Sequence, residues 1–416
     1  MGQTQCSVVV DGETIEEILS FDYSSDVMSI AEEAHFVVDN KNKKYRDLLR
    51  LGSSIEFRTA HPEINGGQPV TRHRGVITHR EPSFTPRDGS VIKITSSDLG
   101  WHLQNNNAPI FVRLDNKTYG EIVDAKTSPL IDPSWGFSGV YFEGDTRRRL
   151  KLGVAAVAAQ QQRVLDPVHR IQTEPGDTPA ELITEYARRL NLLLNVSPDG
   201  RICVFRPNDT QAPLYSLRLR DDLARLPGEA GTAASLQNNV LEARVVEDAR
   251  SLFTIVEVVG DQIGYEGPQD PNNPNASKKR GKVVHTGALP FLHRAVRSDG
   301  EMYLNGLAQQ HAEWIYKRGI FDAWYYVAVV AEHWQDGPQG KFFWEADTVA
   351  SVDDDEHGLS GNFYVQRVDC SGAKGQGDVT TVTIRKPGLL SASFGVIPTP
   401  SLYRASGITG TPKAAP

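Results

Sequence analysis

Two β-rich units with the same order of segments stand near the two ends of this 416-residue chain. No other feature constrains the fold as much. The first unit reads Leu51-Gly52-Ser53-Ser54-Ile55-Glu56-Phe57, then Arg74-Gly75-Val76-Ile77-Thr78-His79, then Gly89-Ser90-Val91-Ile92-Lys93-Ile94-Thr95. The second reads Ala346-Asp347-Thr348-Val349-Ala350-Ser351-Val352, then Gly361-Asn362-Phe363-Tyr364-Val365-Gln366-Arg367, then Gly377-Asp378-Val379-Thr380-Thr381-Val382-Thr383-Ile384. In each, a strand is followed by a Gly-led strand, a polar loop and a Thr-rich strand. The correspondence lies in order and spacing, since few letters are shared. A chain with two similar modules presents quasi-equivalent surfaces, and three such chains present six.

At this length two or three domains are expected. The turn signals of residues 6–97 recur often enough for a small barrel or sandwich. Cys6 to Val10 runs into Asp11-Gly12, Phe21 to Ser24 and His35 to Val38 are strand-like, and Val27 to Glu33 reads as one helical turn or two. Residues 98–172 carry Pro129, Pro133, Trp135 and the basic cluster Arg147-Arg148-Arg149. Within them, periodicity leaves Val154 to Gln162 open between helix and strand.

Residues 173–219 form a compact α/β unit. Thr178 stands at an N-cap, Pro179 at the first helical position and Glu181 three residues after the cap. That is a capping box. Leu182, Ile183, Tyr186, Ala187 and Leu190 follow as an apolar stripe. Leu192 to Val196 and Arg201 to Phe205 pair across the turn Ser197-Pro198-Asp199-Gly200. Further on, Val240 to Glu247 and Phe253 to Val259 are strands. A helix is expected from Gly306 to Lys317, and a long aromatic strand from Ala323 to Trp334 turns back at Asp336-Gly337. The polar excursion Gln262 to Lys282 reads as a mobile loop. Residues 389–416, with four prolines, read as an extended tail. The predicted domains are 1–97, 98–234 and 235–388, followed by the tail.

Chemistry-bearing motifs are sparse. The net charge of −8 argues against a dedicated nucleic-acid binder. Cys6, Cys203 and Cys370 lie far apart, without metal-ligand or redox spacing, so a reducing compartment is expected. Cys203, within an apolar run, reads as a small core residue. No stretch is apolar over the roughly 20 residues a membrane helix needs, and no secretory signal is visible. The acidic run Asp353-Asp354-Asp355-Glu356-His357 lacks the ligand spacing of a calcium loop and reads as a solvated turn. Gly372, Gly375 and Gly377 precede a strand and read as a hairpin connection. Arg72, His73, Arg74, His79 and Arg80 read as an outward strand face. Lys278-Lys279-Arg280 reads equally as a dock for an acidic neighbour or as a solubilising loop tip. No hydrolase motif stands out. Catalytic, metal and cofactor residues are therefore predicted to be none, and the protein is expected not to be an enzyme.

The stretch Pro175-Gly176-Asp177-Thr178-Pro179-Ala180-Glu181-Leu182, with Pro198-Asp199-Gly200-Arg201-Ile202-Cys203-Val204-Phe205, resembles the central α/β unit of bacteriophage tail hub proteins. Asn238-Asn239-Val240-Leu241 and Phe253 to Gly260 resemble the strand pair that follows it. Over roughly residues 5–388, the order of units is similar to the baseplate central hubs of contractile-tailed phages, of the Mu-type and late-control kind. The resemblance implies a mainly β fold with an α/β insertion, in which two similar small β-barrel domains alternate around a pseudo-sixfold ring in a homotrimer. It implies a structural role in the virion baseplate, assembled in the bacterial cytoplasm. The hub would join the sixfold tail tube protein to the threefold membrane-piercing spike, touch neighbouring baseplate proteins, and let DNA pass at genome ejection without binding it or entering the membrane. On this reading the interface residues are Lys278, Lys279, Arg280, Arg74, Arg80 and Tyr403, and the tail after Gly388 contacts the spike or an adjacent baseplate protein. The alternatives are the hub of a bacterial contractile injection or secretion system, a peptidoglycan-degrading tail enzyme and a receptor-binding tail protein.

Overall fold

The computed structural model describes residues 4–15, 17–86, 89–107, 117–127, 140–142, 167–168, 176–189, 192–205, 207, 209–221, 238–260, 280–285, 289–299, 305–338 and 340–389. The first unit holds β1 (Gln5–Val10), β2 (Glu13–Ile15), β3 (Ile18–Asp26), β4 (Glu33–Asp39), β5 (Ser54–Ala60), β6 (Val70–Thr85) and β7 (Gly89–Ser97). β2 and β3 are separated only by residues 16 and 17. β2 pairs with β1 and β3 pairs with β4, so the path β1-β5-β6-β7-β4 begins and ends on neighbouring parts of one run. Val27 to Glu33, read above as a helical turn or two, is a turn leading into β4. Asp26 shapes it by accepting the Met28 N–H at 2.8 Å.

The middle of the chain contributes the helix Leu99–Asn105, β8 (Lys117–Thr118), the helix Tyr119–Thr127, β9 (Val140–Phe142), β10 (Pro167–Val168), the helix Pro179–Arg189, β11 (Leu193–Val196), β12 (Ile202–Phe205) and β13 (Tyr215–Leu219). The capping box forms as its chemistry dictates. The Thr178 N–H donates to Glu181 Oε2 at 3.0 Å, and the Glu181 N–H donates to Thr178 Oγ1 at 3.2 Å. β11 and β12 make the expected hairpin, and β9 adds to β12 in parallel. Val154 to Gln162 and Arg147-Arg148-Arg149 lie outside the described residues.

The last part holds β14 (Val240–Glu247), β15 (Ile255–Gly260), β16 (Arg280–Val284), β17 (Arg294–Asp299), the helix Asn305–Ala323, β18 (Trp324–Ala331), β19 (Trp334–Gly337), β20 (Gly340–Phe343), β21 (Thr348–Asp354), β22 (Leu359–Ala373) and β23 (Val379–Arg385). Three expectations need correcting here. The helix runs six residues past Lys317, because its last turn is held by an Arg318–Asp322 pair at 2.8 Å and by Arg385 from β23. The long aromatic strand breaks at Glu332, whose φ of 67° turns the chain out of the sheet into the β19–β20 hairpin. The end of the polar excursion, from Arg280, is strand β16 paired with β15. Gly281 in that strand packs so closely on the helix that a Cβ there would stand 2.0 Å from the Ala308 carbonyl oxygen.

The three strands of each sequence unit are neighbours in space, as the antiparallel meanders β5-β6-β7 and β21-β22-β23. The fold is mainly β, as the sequence indicated. The two units, however, are parts of one thirteen-stranded sheet. β22 joins them. It is 15 residues long, against about 5–6 for an ordinary strand, and one edge of it is shared. Residues 359–365 pair with β21 of the second unit, and residues 367–373 pair with β3 of the first. Beneath this seam the buried side chains of both units make one continuous core, from Val8, Phe21 and Phe57 to Tyr326, Trp344 and Ile384. Each large apolar side chain so buried contributes about 1.5–3 kcal/mol.

Candidate functional site

A cleft of about 490 Å³ opens where the two β units meet the α/β hairpin. Its walls come from β3 and β6, from the β11–β12 turn and from residues 345–348, which lead into β21. Arg72 forms its floor, with only 5% of its side chain exposed. The guanidinium donates from Nη2 to the Trp344 carbonyl and from Nη1 to Glu345 Oε1 at 3.3 Å, and it lies 5.7 Å from the Phe343 ring. It thus ties the first unit to the second. Tyr215 reinforces the same segment. Its hydroxyl donates to the Phe343 carbonyl at 2.8 Å and accepts the Glu345 N–H at 3.0 Å.

The carboxylates around the cleft are committed to partners. Asp347 accepts the Tyr364 hydroxyl at 2.8 Å, Asp199 pairs with Arg201 at 3.3 Å, and Glu345 pairs with Arg72. No histidine is among the described residues of the lining. The arrangement cross-links three stretches of chain, and two of its lining hydroxyls are held by carboxylates, Ser25 by Glu32 Oε1 at 2.8 Å and Ser197 by Asp199.

The reading of Arg72, His73, Arg74, His79 and Arg80 as an outward face is corrected here. Arg72 and His73 are both buried. The cause is a bulge: Phe57 faces His73 but Arg58 faces Thr71, so Arg72 is an extra residue on β6 and alternation is lost around it. A second bulge between Ile77 and His79 shifts the strand again. Sequence patterning carries no signal for either. Of the predicted interface residues, Arg74 pairs with Glu56 and reaches the Asp199 carbonyl at 3.5 Å. Arg80 donates to the Arg46 carbonyl at 2.9 Å. Arg280 binds Glu257 at 2.6 Å and Lys282 binds it at 3.0 Å, which together hold that carboxyl below its usual range. These three are not brought together with one another. Lys278, Lys279 and Tyr403 lie outside the described residues, as do the tail from residue 390 and the excursion up to residue 279. The acidic run is also not uniformly solvated. Asp354 is buried, accepting the Tyr326 hydroxyl at 2.7 Å and bonding His357 at 2.9 Å.

His73, next to Arg72 on β6 and buried, gives the fold a pH dependence. Its Nε2 meets the Ser96 hydroxyl at 2.8 Å, and its ring lies 5.9 Å from that of Tyr23. Burial, aided by nearby His35, lowers its pKa from 6.5 to about 3. The folded state therefore prefers the neutral imidazole. The stability this represents is complete above pH 6.5 and is lost as pH falls from 6.5 through about 3, where the unfolded chain binds the extra proton. The urea midpoint is expected to fall over that window, and His73→Gln is expected to flatten the slope. An equal slope in the variant would count against the assignment.

No protein-family model matches the sequence, and no curated protein matches it. A tail protein from Neisseria meningitidis MC58 superimposes with a TM-score of 0.70 at 16% identity, covering 93% of this chain and 98% of that one. The 43 kDa tail protein of prophage MuSo2 from Shewanella oneidensis gives 0.65 at 16% identity, over 93% of this chain and 98% of that one. The fold is that of prophage tail proteins. A chain of the Francisella PdpA–VgrG complex gives a TM-score of 0.51 at 7% identity, with 94% of this chain covering 58% of that one. The tail-protein fold includes the α/β hairpin and both β units, because the matches run nearly end to end. The cleft at their junction is therefore built from parts that this fold brings together.

Proposed function

We propose that the chain is a structural hub of a phage baseplate. Three copies assemble into a ring of six related β units, which joins a sixfold tail tube to a threefold spike around a channel for DNA. The observation that carries this reading is the pair of similar meanders in a fold shared nearly end to end with tail proteins. Threefold assembly of a chain with two related units gives a surface that a sixfold ring can match. The net charge of −8 suits a channel through which DNA slides without sticking. Its place is the virion tail, and its role is mechanical, with no turnover of substrate.

An apolar surface is available for the contact between copies. β16, β15 and β17 form a small sheet with Val256, Val258 and Ala295 buried against the helix Asn305–Ala323. The opposite face carries exposed Val284 and Val296, and exposed Phe291 and Leu292 precede β17. Such a patch marks a surface that is covered in an assembly. The likeness to the Francisella complex supports a second reading, a hub of a bacterial secretion system, with the same architecture and a different tube and spike.

Light scattering on the purified chain tests the proposal. The expected mass is three chain masses, falling to one in the double variant Phe291→Asp, Leu292→Asp. Electron microscopy of the trimer is expected to show a six-lobed ring. A monomer at every concentration would overturn the self-assembling trimer. A trimer that pulls down the spike of an injection machine, and no phage tube protein, would favour the second reading.

A further inference from the structure

Cys6 of β1, His333 of the turn between β18 and β19, and Asp378 of the hairpin before β23 converge on one point. Their ligand atoms, one sulfur, one ring nitrogen and one carboxylate oxygen, all lie within 4.8 Å of one another. Cys6 is more than three hundred positions from the other two, which are themselves 45 positions apart, so only the tertiary fold assembles them. His333 is buried, with 2% exposure. Its Nδ1 meets the Thr380 hydroxyl at 3.0 Å, and that hydroxyl donates its own proton to the Glu332 carbonyl at 2.7 Å. Thr380 can therefore only accept from His333, so Nδ1 carries a proton. In the neutral ring Nε2 is then left with a lone pair. Nε2 makes no direct hydrogen bond, and the nearest Asp378 oxygen is 3.6 Å away. Burial opposes a charge on the ring, but Asp378 and Cys370 outweigh it and raise the pKa to about 9, so without a cation Nε2 holds a proton that faces the carboxylate.

We propose that Cys6, His333 and Asp378 bind a borderline divalent cation of the zinc type, which pins the first strand of the first β unit to the second unit. Sulfur, imidazole and carboxylate are the donors such a cation takes, at about 2.0–2.3 Å each. Donors around a tetrahedral ion at those lengths stand about 3.3–3.8 Å apart, so the present spacing contracts slightly on binding. The Asp378 hairpin and the half-exposed Cys6 edge can move inward by that amount. The His333–Thr380–Glu332 relay is the outer-sphere support that a ligating histidine requires, since it fixes the tautomer and aims Nε2. A water completes the coordination, because Cys6 and Asp378 are only half-buried. Binding displaces two protons to solvent, one from the Cys6 thiol and one from His333 Nε2. Burial raises the thiol's pKa, and the cation reverses that preference.

The full chain, stripped with a chelator and dialysed, is titrated with Zn²⁺ and separately with Co²⁺. One equivalent per chain is expected, with a thiolate-to-cobalt charge-transfer band and a higher Tm in the presence of Zn²⁺. Cys6→Ser is nearly isosteric at a half-buried position and is expected to fold while losing the band. Asp378→Asn is expected to weaken binding at least tenfold, and His333→Gln to abolish it. Retention of one equivalent by folded Cys6→Ser, or a cobalt spectrum without thiolate character, would overturn the proposal. So would the absence of any bound metal in the wild-type chain, which would leave His333 and Asp378 as a metal-free pair.

Discussion

Arg385→Ala is expected to lower the stability of the chain by about 3–5 kcal/mol. Arg385 closes the C-terminus of the helix Asn305–Ala323, where the last carbonyls have no partner within the helix. Its Nη1 donates to the Phe321 carbonyl at 2.6 Å and the Trp324 carbonyl at 3.1 Å, and its Nε donates to Gln366 Oε1 at 2.6 Å. The guanidinium also lies 4.7 Å from the Phe321 ring centre and 4.6 Å from that of Tyr325. Alanine leaves these acceptors buried and unpaired, and each such orphan costs about 1–3 kcal/mol. Arg385→Lys is expected to recover less than half of the loss, because an ammonium group cannot span the carbonyls as a planar fork does. Urea unfolding followed by circular dichroism reads both variants. A midpoint unchanged in Arg385→Ala would show that water takes over the acceptors without penalty.

Arg72→Met is expected to cost about 2–3 kcal/mol. Methionine fills the volume but cannot donate to the Trp344 carbonyl, so the link between β6 and the segment before β21 is lost. The ion pair itself contributes little. The Glu345 side chain is 56% exposed and rehydrates when the arginine is removed. A double-mutant cycle with Glu345→Gln is therefore expected to return a coupling under about 1 kcal/mol. A larger coupling would mean that the cleft is dry and that its charge pair dominates. The variant is also expected to loosen the junction, read as faster amide exchange in β6 and residues 343–348.

Those two arginines differ in how far the sequence announces them. Nothing around Arg385 predicts its role, since its partners come from Phe321 and Gln366 on other elements. Arg72 was visible as part of a basic cluster, yet its burial follows from a bulge of one residue. Strand periodicity cannot register a bulge, because one inserted residue exchanges the two faces. The acidic run shows the same limit. Its hairpin position was legible, while Asp354 turned inward to meet Tyr326 across the core. The Cys6–His333–Asp378 cluster has no spacing in the chain at all.

The sequence by itself determined what short-range physics governs. The capping box at Thr178 and Glu181, the Ser197–Gly200 hairpin and the two strand triplets all formed where their local signals stood, because caps, turns and alternation act over a few residues. The tertiary structure alone decided which strands pair across the chain. β22 can pair with both β21 and β3 because it is long enough to offer each a different half of one edge. No local pattern encodes that choice. It is fixed when the apolar faces of both units bury into one core, and that pairing creates the Arg72 cleft and brings β1 against the β22–β23 hairpin.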